Sequence, residues 1–344
     1  MALDAEPKSV EKTRGMPEDF NQVLNLDNWS LDETLYEGGY YPEGSRDKMI
    51  LISPVTAVDP FRPGWRYLFK KSRRWAPWQF WVEIMACRIG QIMQVPVPPA
   101  FPGFRTAPEP GEDPYGAVIE WFYSEKETYA MGALFLRGVI PDYDWKTGKQ
   151  QNLMSILNLP LWANEINRRK VLAHWANVLT FDAVIGNTDR QPENWGVIVP
   201  SQEECSKNDS ETINLRLSPA FDNGTGMGWE QLEENLYRFD DPAEVTRYLT
   251  NPKKARHHMK WAMDDAAPIG FFQFIAKLCA EYPWTREIVM NRLEFDEQTV
   301  RSKLEPLTMI PIAERWRLTN KRLEFTVSLV LRRRELLLEA LGCK

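Results

Sequence analysis

The chain has 344 residues, of which 43% are hydrophobic and 12% aromatic, and it carries a net charge of −6 with a pI near 5.4. That length and apolar content imply one large or two medium globular domains and exclude a chain too small to bury a sizeable core. The acidic balance excludes general nucleic-acid-binding character, so direct nucleic-acid contact is not expected.

Residues 1–30 read as an N-terminal arm: charged, with no apolar core of a signal peptide. No later stretch approaches the ~20 apolar residues of a membrane span. The cysteines Cys87, Cys205, Cys279 and Cys343 are scattered without a C-x-x-C, which fits free thiols and a cytoplasmic location. Strand signals run from 31 to 71: M-I-L-I, then a Pro-rich stretch to Pro63-Gly64, then W-R-Y-L-F-K. Before them, P-E-G-S-R-D-K is a candidate phosphate-holding turn. Gly44 lets backbone N–H groups approach an anion, and Ser45, Arg46 and Lys48 can donate to it. A plain hairpin turn accounts for the same residues. Neither the P-loop nor the Rossmann glycine signature is present.

Lys70 ends the second apolar strand and could reach nucleotide phosphates, as could Lys71. Residues 78–94 are apolar at helical spacing (Trp81, Met85, Ile89, Ile92), and Glu83 sits above the small residues Cys87 and Gly90. That places its carboxylate near the sheet and suits pairing with Lys70. V-P-V-P-P-A-F is a rigid extended connection. The next strand, G-A-V-I-E-W-F-Y, ends at Glu120, Trp121 and Phe122, whose backbone groups could meet the edge of an adenine. From Glu125 onward the pattern turns helical. Residues 158–185 keep a 3.6-residue period, with His174 as a core or semi-buried histidine and not a ligand, and deliver the chain to Gly186.

There the sequence reads I-G-N-T-D-R-Q-P-E-N-W-G, with Asp189 and Asn194 five residues apart. A β-type run at 195–199 and another at 213–217 flank a polar stretch, which predicts a hairpin with a long loop. The hairpin returns the chain to S-P-A-F-D-N-G, so Asp222 joins Asp189 and Asn194. Phosphoryl transfer needs such a set: a carboxylate for the attacking hydroxyl and oxygen ligands for magnesium. Ordinary turns would also use these residue types. Helices follow at 243–249, 271–282, 286–293, 297–304 and 312–341. The basic clusters at 253–260 and 332–334 read as solvated helix faces.

The order of strand lysine, helix glutamate, G-A-V-I-E-W-F, I-G-N-T-D-R-x-x-x-N-W-G and S-P-A-F-D-N-G resembles the HipA-like serine/threonine kinases, which share a phosphatidylinositol-kinase-like fold. The resemblance covers roughly residues 35–230. It implies an α+β, bilobal protein-kinase-like fold: a small β-rich N-lobe over 31–123 and a larger, mostly helical C-lobe over 124–344. It also implies ATP and Mg2+ between the lobes, Asp189 as catalytic base, Asn194 and Asp222 as metal ligands, and Lys70 on phosphate. The phosphate loop would fall at 44–48, with Ser45 as an autophosphorylation site. A protein substrate is expected, with an antitoxin or regulator protein as a further partner. Gln191 stands where many relatives have histidine, and Arg190 follows the catalytic aspartate as in phosphatidylinositol kinases. A lipid kinase and a nucleotide-binding pseudokinase therefore stay open as alternatives.

Overall fold

Two apolar runs, K-M-I-L-I and R-Y-L-F-K-K, pair antiparallel and seed the first sheet of the computed structural model, which describes residues 19–33, 46–106, 113–162, 164–201, 215–252 and 254–343. Six strands build this sheet: β1 (Leu24–Asn25), β2 (Ser30–Leu31), β3 (Lys48–Ile52), β4 (Arg66–Lys71), β5 (Ala100–Phe104) and β6 (Tyr115–Glu120). Their order is β1-β5-β6-β4-β3-β2, and β1 alone runs parallel to its neighbour. The expected arm over 1–30 thus ends inside the sheet. Leu26 and Trp29 are buried with Phe61, Tyr67 and Phe101. Burying a large apolar side chain gains roughly 1.5–3 kcal/mol, which a free arm would forgo.

Side chains on a strand alternate between faces. Phe69 and Val118 pair across β4 and β6 and point into that cluster; Lys70 and Ala117 pair next to them and point to the opposite face. On that face lies helix α1 (Gln79–Ile92), buried from Gln79 to Gly90. The alternation settles which lysine meets the helix: Lys70 does, and Lys71, paired with Gly116, points away. Helix α1 is held from its outer side too. The Trp81 indole donates to the Trp316 carbonyl at 2.7 Å, and Arg88 donates to the Lys303 carbonyl at 2.7 Å.

The rest of the chain is mostly helical. It comprises β7 (Glu127–Met131), α2 (Gly132–Val139), α3 (Leu153–Leu157), α4 (Glu165–Ile185), β8 (Gly196–Pro200), β9 (Arg216–Leu217), α5 (Pro242–Leu249), α6 (Phe271–Glu281), α7 (Thr285–Arg292), α8 (Glu297–Thr308) and α9 (Asn320–Ala340). The fold is therefore α+β and bilobal, as expected. The helical pattern expected from Glu125 is interrupted by β7, because β8 needs a partner on its second edge. Together β7, β8 and β9 form an antiparallel sheet, with Gly132 packed under the Trp195 ring where no Cβ would fit. The expected hairpin is present at its base, with Val197 opposite Leu217; residues 202–214 lie outside the described residues. The last helix begins at Asn320, later than expected, because Thr319 caps it by accepting from the Arg322 N–H. Among the described residues no helix is long and apolar enough to cross a membrane.

Helix α4 carries the chain to the site. Asn164 caps its start by accepting from the Asn167 N–H at 2.8 Å, and every residue from Val178 to Ile185 is buried. It stops at Gly186, which adopts φ 71°, and a Cβ there would overlap the Arg333 guanidinium. Arg333 in turn donates to the Ile185 carbonyl at 3.1 Å. Gly186→Ala should therefore lower unfolding free energy by roughly 1–3 kcal/mol, from left-handed strain and displacement of Arg333. Urea unfolding of the variant measures this, and an unchanged midpoint would contradict the assignment.

Candidate active site

Glu83 reaches the cleft from the second turn of α1 and meets three groups from three parts of the chain. Its Oε1 accepts from Lys70 Nζ at 2.8 Å and from Arg46 Nη2 at 2.8 Å. Its Oε2 accepts the Asn223 backbone N–H at 2.9 Å. Lys70 Nζ also binds Asp222 Oδ1 through a short ion pair, and Arg46 Nη2 lies 3.4 Å from the same oxygen. Burial pushes the Glu83 carboxyl up, but Lys70 and Arg46 outweigh it and hold it below its ordinary value. Asp222 behaves alike: burial opposes ionisation, and Lys70, Arg46 and Lys48 pull it well below the carboxylate range. Its backbone sits at φ 54° in the left-handed region, which Asp tolerates better than most residues. Strain of this kind gathers at functional sites.

Asp189 and Asn194 lie on the loop after α4. The Asp189 N–H donates to Asn187 Oδ1 at 3.1 Å, and Asn194 Nδ2 donates to the Asp189 carbonyl at 2.7 Å. Burial first, then the Asp222 carboxylate, raises the Asp189 carboxyl, while Gln191 and His258 oppose the rise. Gln191 Nε2 donates to Asp189 Oδ1 at 2.6 Å.

One side chain joins this loop to the Asp222 loop, and sequence reasoning missed its part. Arg190 is 1% exposed and grips Asp182 of α4 at 2.7 and 3.0 Å. It also donates to the Asn194 carbonyl at 3.2 Å, to Asn223 Oδ1 at 2.8 Å and, closely, to the Phe221 carbonyl. Burial works against its charge, and Asp182 beside it overcomes this and raises it. Asn187 completes the frame, accepting from Thr225 Oγ1 at 2.7 Å. An Arg eight residues after a buried Asp at the end of an apolar helix was the signal available for this pair.

The expected hinge is only partly available. The Glu120 N–H donates to the Pro99 carbonyl at 2.8 Å and the Trp121 N–H to the Arg66 carbonyl at 3.1 Å. The Trp121 carbonyl accepts the Trp65 indole at 2.8 Å. Sheet pairing continues one residue past β6 and takes these groups up. The Phe122 N–H has no partner among the described residues, and its ring stacks on Phe221 at 4.9 Å. Gly44 and Ser45 lie outside the described residues. Lys48 pairs with Lys70 across β3 and β4 at the same end of the sheet. His174 is partly buried, and burial lowers it to about 4, in line with a neutral core histidine.

The donor set fits a magnesium ion. Asp222 Oδ2 and Asn194 Oδ1 accept no hydrogen bond among the described residues, while their partner atoms, Oδ1 and Nδ2, are taken. Magnesium bound with nucleotide characteristically uses one or two protein oxygens plus phosphates and water. No group of three or more His, Cys, Asp or Glu side chains forms an all-protein metal site among the described residues.

The architecture is that of a bilobal, kinase-like fold. The proinflammatory kinase CtkA of Helicobacter pylori shares it, with a TM-score of 0.68 at 15% identity, over 93% of this chain and 96% of that one. A HipA, HipB and operator DNA complex from Shewanella oneidensis MR-1 matches at TM-score 0.46 and 10% identity, over 88% of this chain and 69% of that one. A TM-score at that level does not by itself define a shared fold. No protein-family model matches the chain, and no curated protein matches it by sequence.

Lys70→Met leaves Glu83 buried and short of one cation. It should lower unfolding free energy at pH 7 by roughly 3 kcal/mol, since Arg46 remains. Carboxyls held below their unfolded values stabilise the fold above about pH 4 and lose that contribution as pH falls through the lowered values. The gap between wild type and variant should therefore be widest at neutral pH and shrink in acid. Urea unfolding at pH 7 and pH 3.5 (about half a unit below the ordinary carboxylate value) reads it; an equal gap at both pH values would remove the ionic account.

Proposed function

We propose that this protein is an ATP- and Mg2+-dependent phosphotransferase, a protein serine/threonine kinase whose lobes divide near residue 124. The observation that carries the reading is the Lys70–Glu83–Asp222 cluster, a strand lysine oriented by a helix glutamate beside an acidic loop residue. Lys70 is aimed at the phosphates of ATP, and the Phe122 N–H, next to the Phe122–Phe221 ring stack, at the adenine edge. Asp222 and Asn194 would hold the metal through the oxygens left unused by their own contacts. Magnesium supplies charge neutralisation across the phosphate oxygens.

Asp189 then orients the acceptor hydroxyl and takes its proton as that oxygen bonds to the γ-phosphorus and ADP leaves. Partial burial and the neighbouring Asp222 make Asp189 a better base than an exposed carboxylate. A serine or threonine of a protein is the acceptor we favour, with an antitoxin or regulator protein as a further partner, on the resemblance of the two loop motifs to HipA-like kinases.

Asp189→Asn should lose about 10²–10⁴-fold in phosphoryl transfer while still binding nucleotide. Asp222→Ala should weaken binding of a non-hydrolysable ATP analogue in Mg2+ but not in EDTA. Calorimetry and radiolabel transfer test both. Full turnover by Asp189→Asn, or no effect of Mg2+ on either protein, would overturn the assignment. Autophosphorylation should appear on Ser45 by mass spectrometry and vanish in Asp189→Asn; phosphate found only elsewhere would refute that site.

A further inference from the structure

The Arg46 guanidinium lies between two carboxylates and leaves one edge unused. Its side chain is 7% exposed, and Nη2 serves Glu83 and Asp222. Nη1 is buried with no hydrogen-bond partner among the described residues. An unsatisfied buried N–H is costly, and a guanidinium is shaped to hold phosphate oxygens through two donors at once. The seat is specific: a Cβ on Gly224 would overlap the guanidinium and lie 2.6 Å from Glu83 Oε1.

Lys70 and Arg46 share Asp222 Oδ1, but they are not equally tied to it. Lys70 sits within the sheet ladder, flanked by Lys48 and Ala117. Arg46 precedes β3, outside the ladder, and its approach to Asp222 is the longer one, at 3.4 Å. Of the two cations, Arg46 is the one free to leave.

We propose that Arg46 is a place-holding cation: it occupies the electrostatic position of the metal beside Asp222, yields that carboxylate when magnesium and nucleotide enter together, and turns its unused edge to the phosphates. This rests on the reading of Asp222 as a metal ligand. Two cations on one oxygen repel a third, so Asp222 binds a divalent ion poorly by itself. Nucleotide brings a competing anion for Arg46 and so couples the two binding events.

The test is Mn2+ titration of the full chain without nucleotide, read by electron paramagnetic resonance. Arg46→Gln should bind Mn2+ at least tenfold tighter than wild type, and Asp222→Asn in that background should abolish the gain. Arg46→Lys, which keeps the charge, should stay near wild type. With Mg2+ present, Arg46→Gln should bind the non-hydrolysable ATP analogue about tenfold more weakly. Unchanged Mn2+ affinity, or Arg46→Lys behaving like Arg46→Gln, overturns the role of Arg46. If nucleotide binding still depends on Asp222 in that case, the kinase reading stands. If wild type binds no nucleotide at all, both fall.

Discussion

The Glu83 carboxylate is the joint on which the site depends. It is buried, so its charge must be matched, and the matching groups come from β4, from the segment before β3 and from the loop at Asn223. A buried carboxylate deprived of its partners is strongly destabilising. The position of α1 against the sheet therefore fixes Lys70, and Lys70 fixes Asp222. One buried carboxylate thus sets the positions of both cations and of the Asn223 main chain.

A second buried ion pair does the same for the other half of the cleft. Asp182 and Arg190 face each other across the end of α4, and the guanidinium still has donors to spare for the Asn194 and Phe221 carbonyls and for Asn223. The value of an arginine here lies in its rigid fork of donors, which a lysine cannot reproduce. Because the same side chain binds both loops, Asp189 and Asp222 are spaced by one rigid spacer and not by two independent turns.

Much of this was legible in the sequence, and the parts that were not share a cause. Asp189 and Asn194 are separated by a short loop, and the hairpin rule brings Asp222 to them, so local spacing was enough. Lys70 and Glu83 were readable because a strand and a helix each impose a period. The bridging use of Arg46 and the many contacts of Arg190 involve partners up to 176 residues away, for which no periodicity speaks. Strand β7 was missed because its identity is decided by the edge of β8 that it covers. The Glu120 and Trp121 main-chain groups were expected in the cleft, but how far a ladder extends past a strand depends on neighbours such as Pro99 and Arg66.

The clamping of α1 from outside has a mechanical meaning. Trp81 and Arg88 bind it to Trp316 and Lys303, Lys303 reaches Asp19 at 2.9 Å, and Tyr115 at the start of β6 packs on Trp316. Helix α8 and the segment after it thus travel with the six-stranded sheet, although the chain places them far beyond it. Rocking of one lobe on the other would divide the molecule along a seam that does not follow chain order, with the C-terminal helices straddling it. Such a molecule cannot be tuned by swinging α1 alone, because the helix is gripped on both flanks.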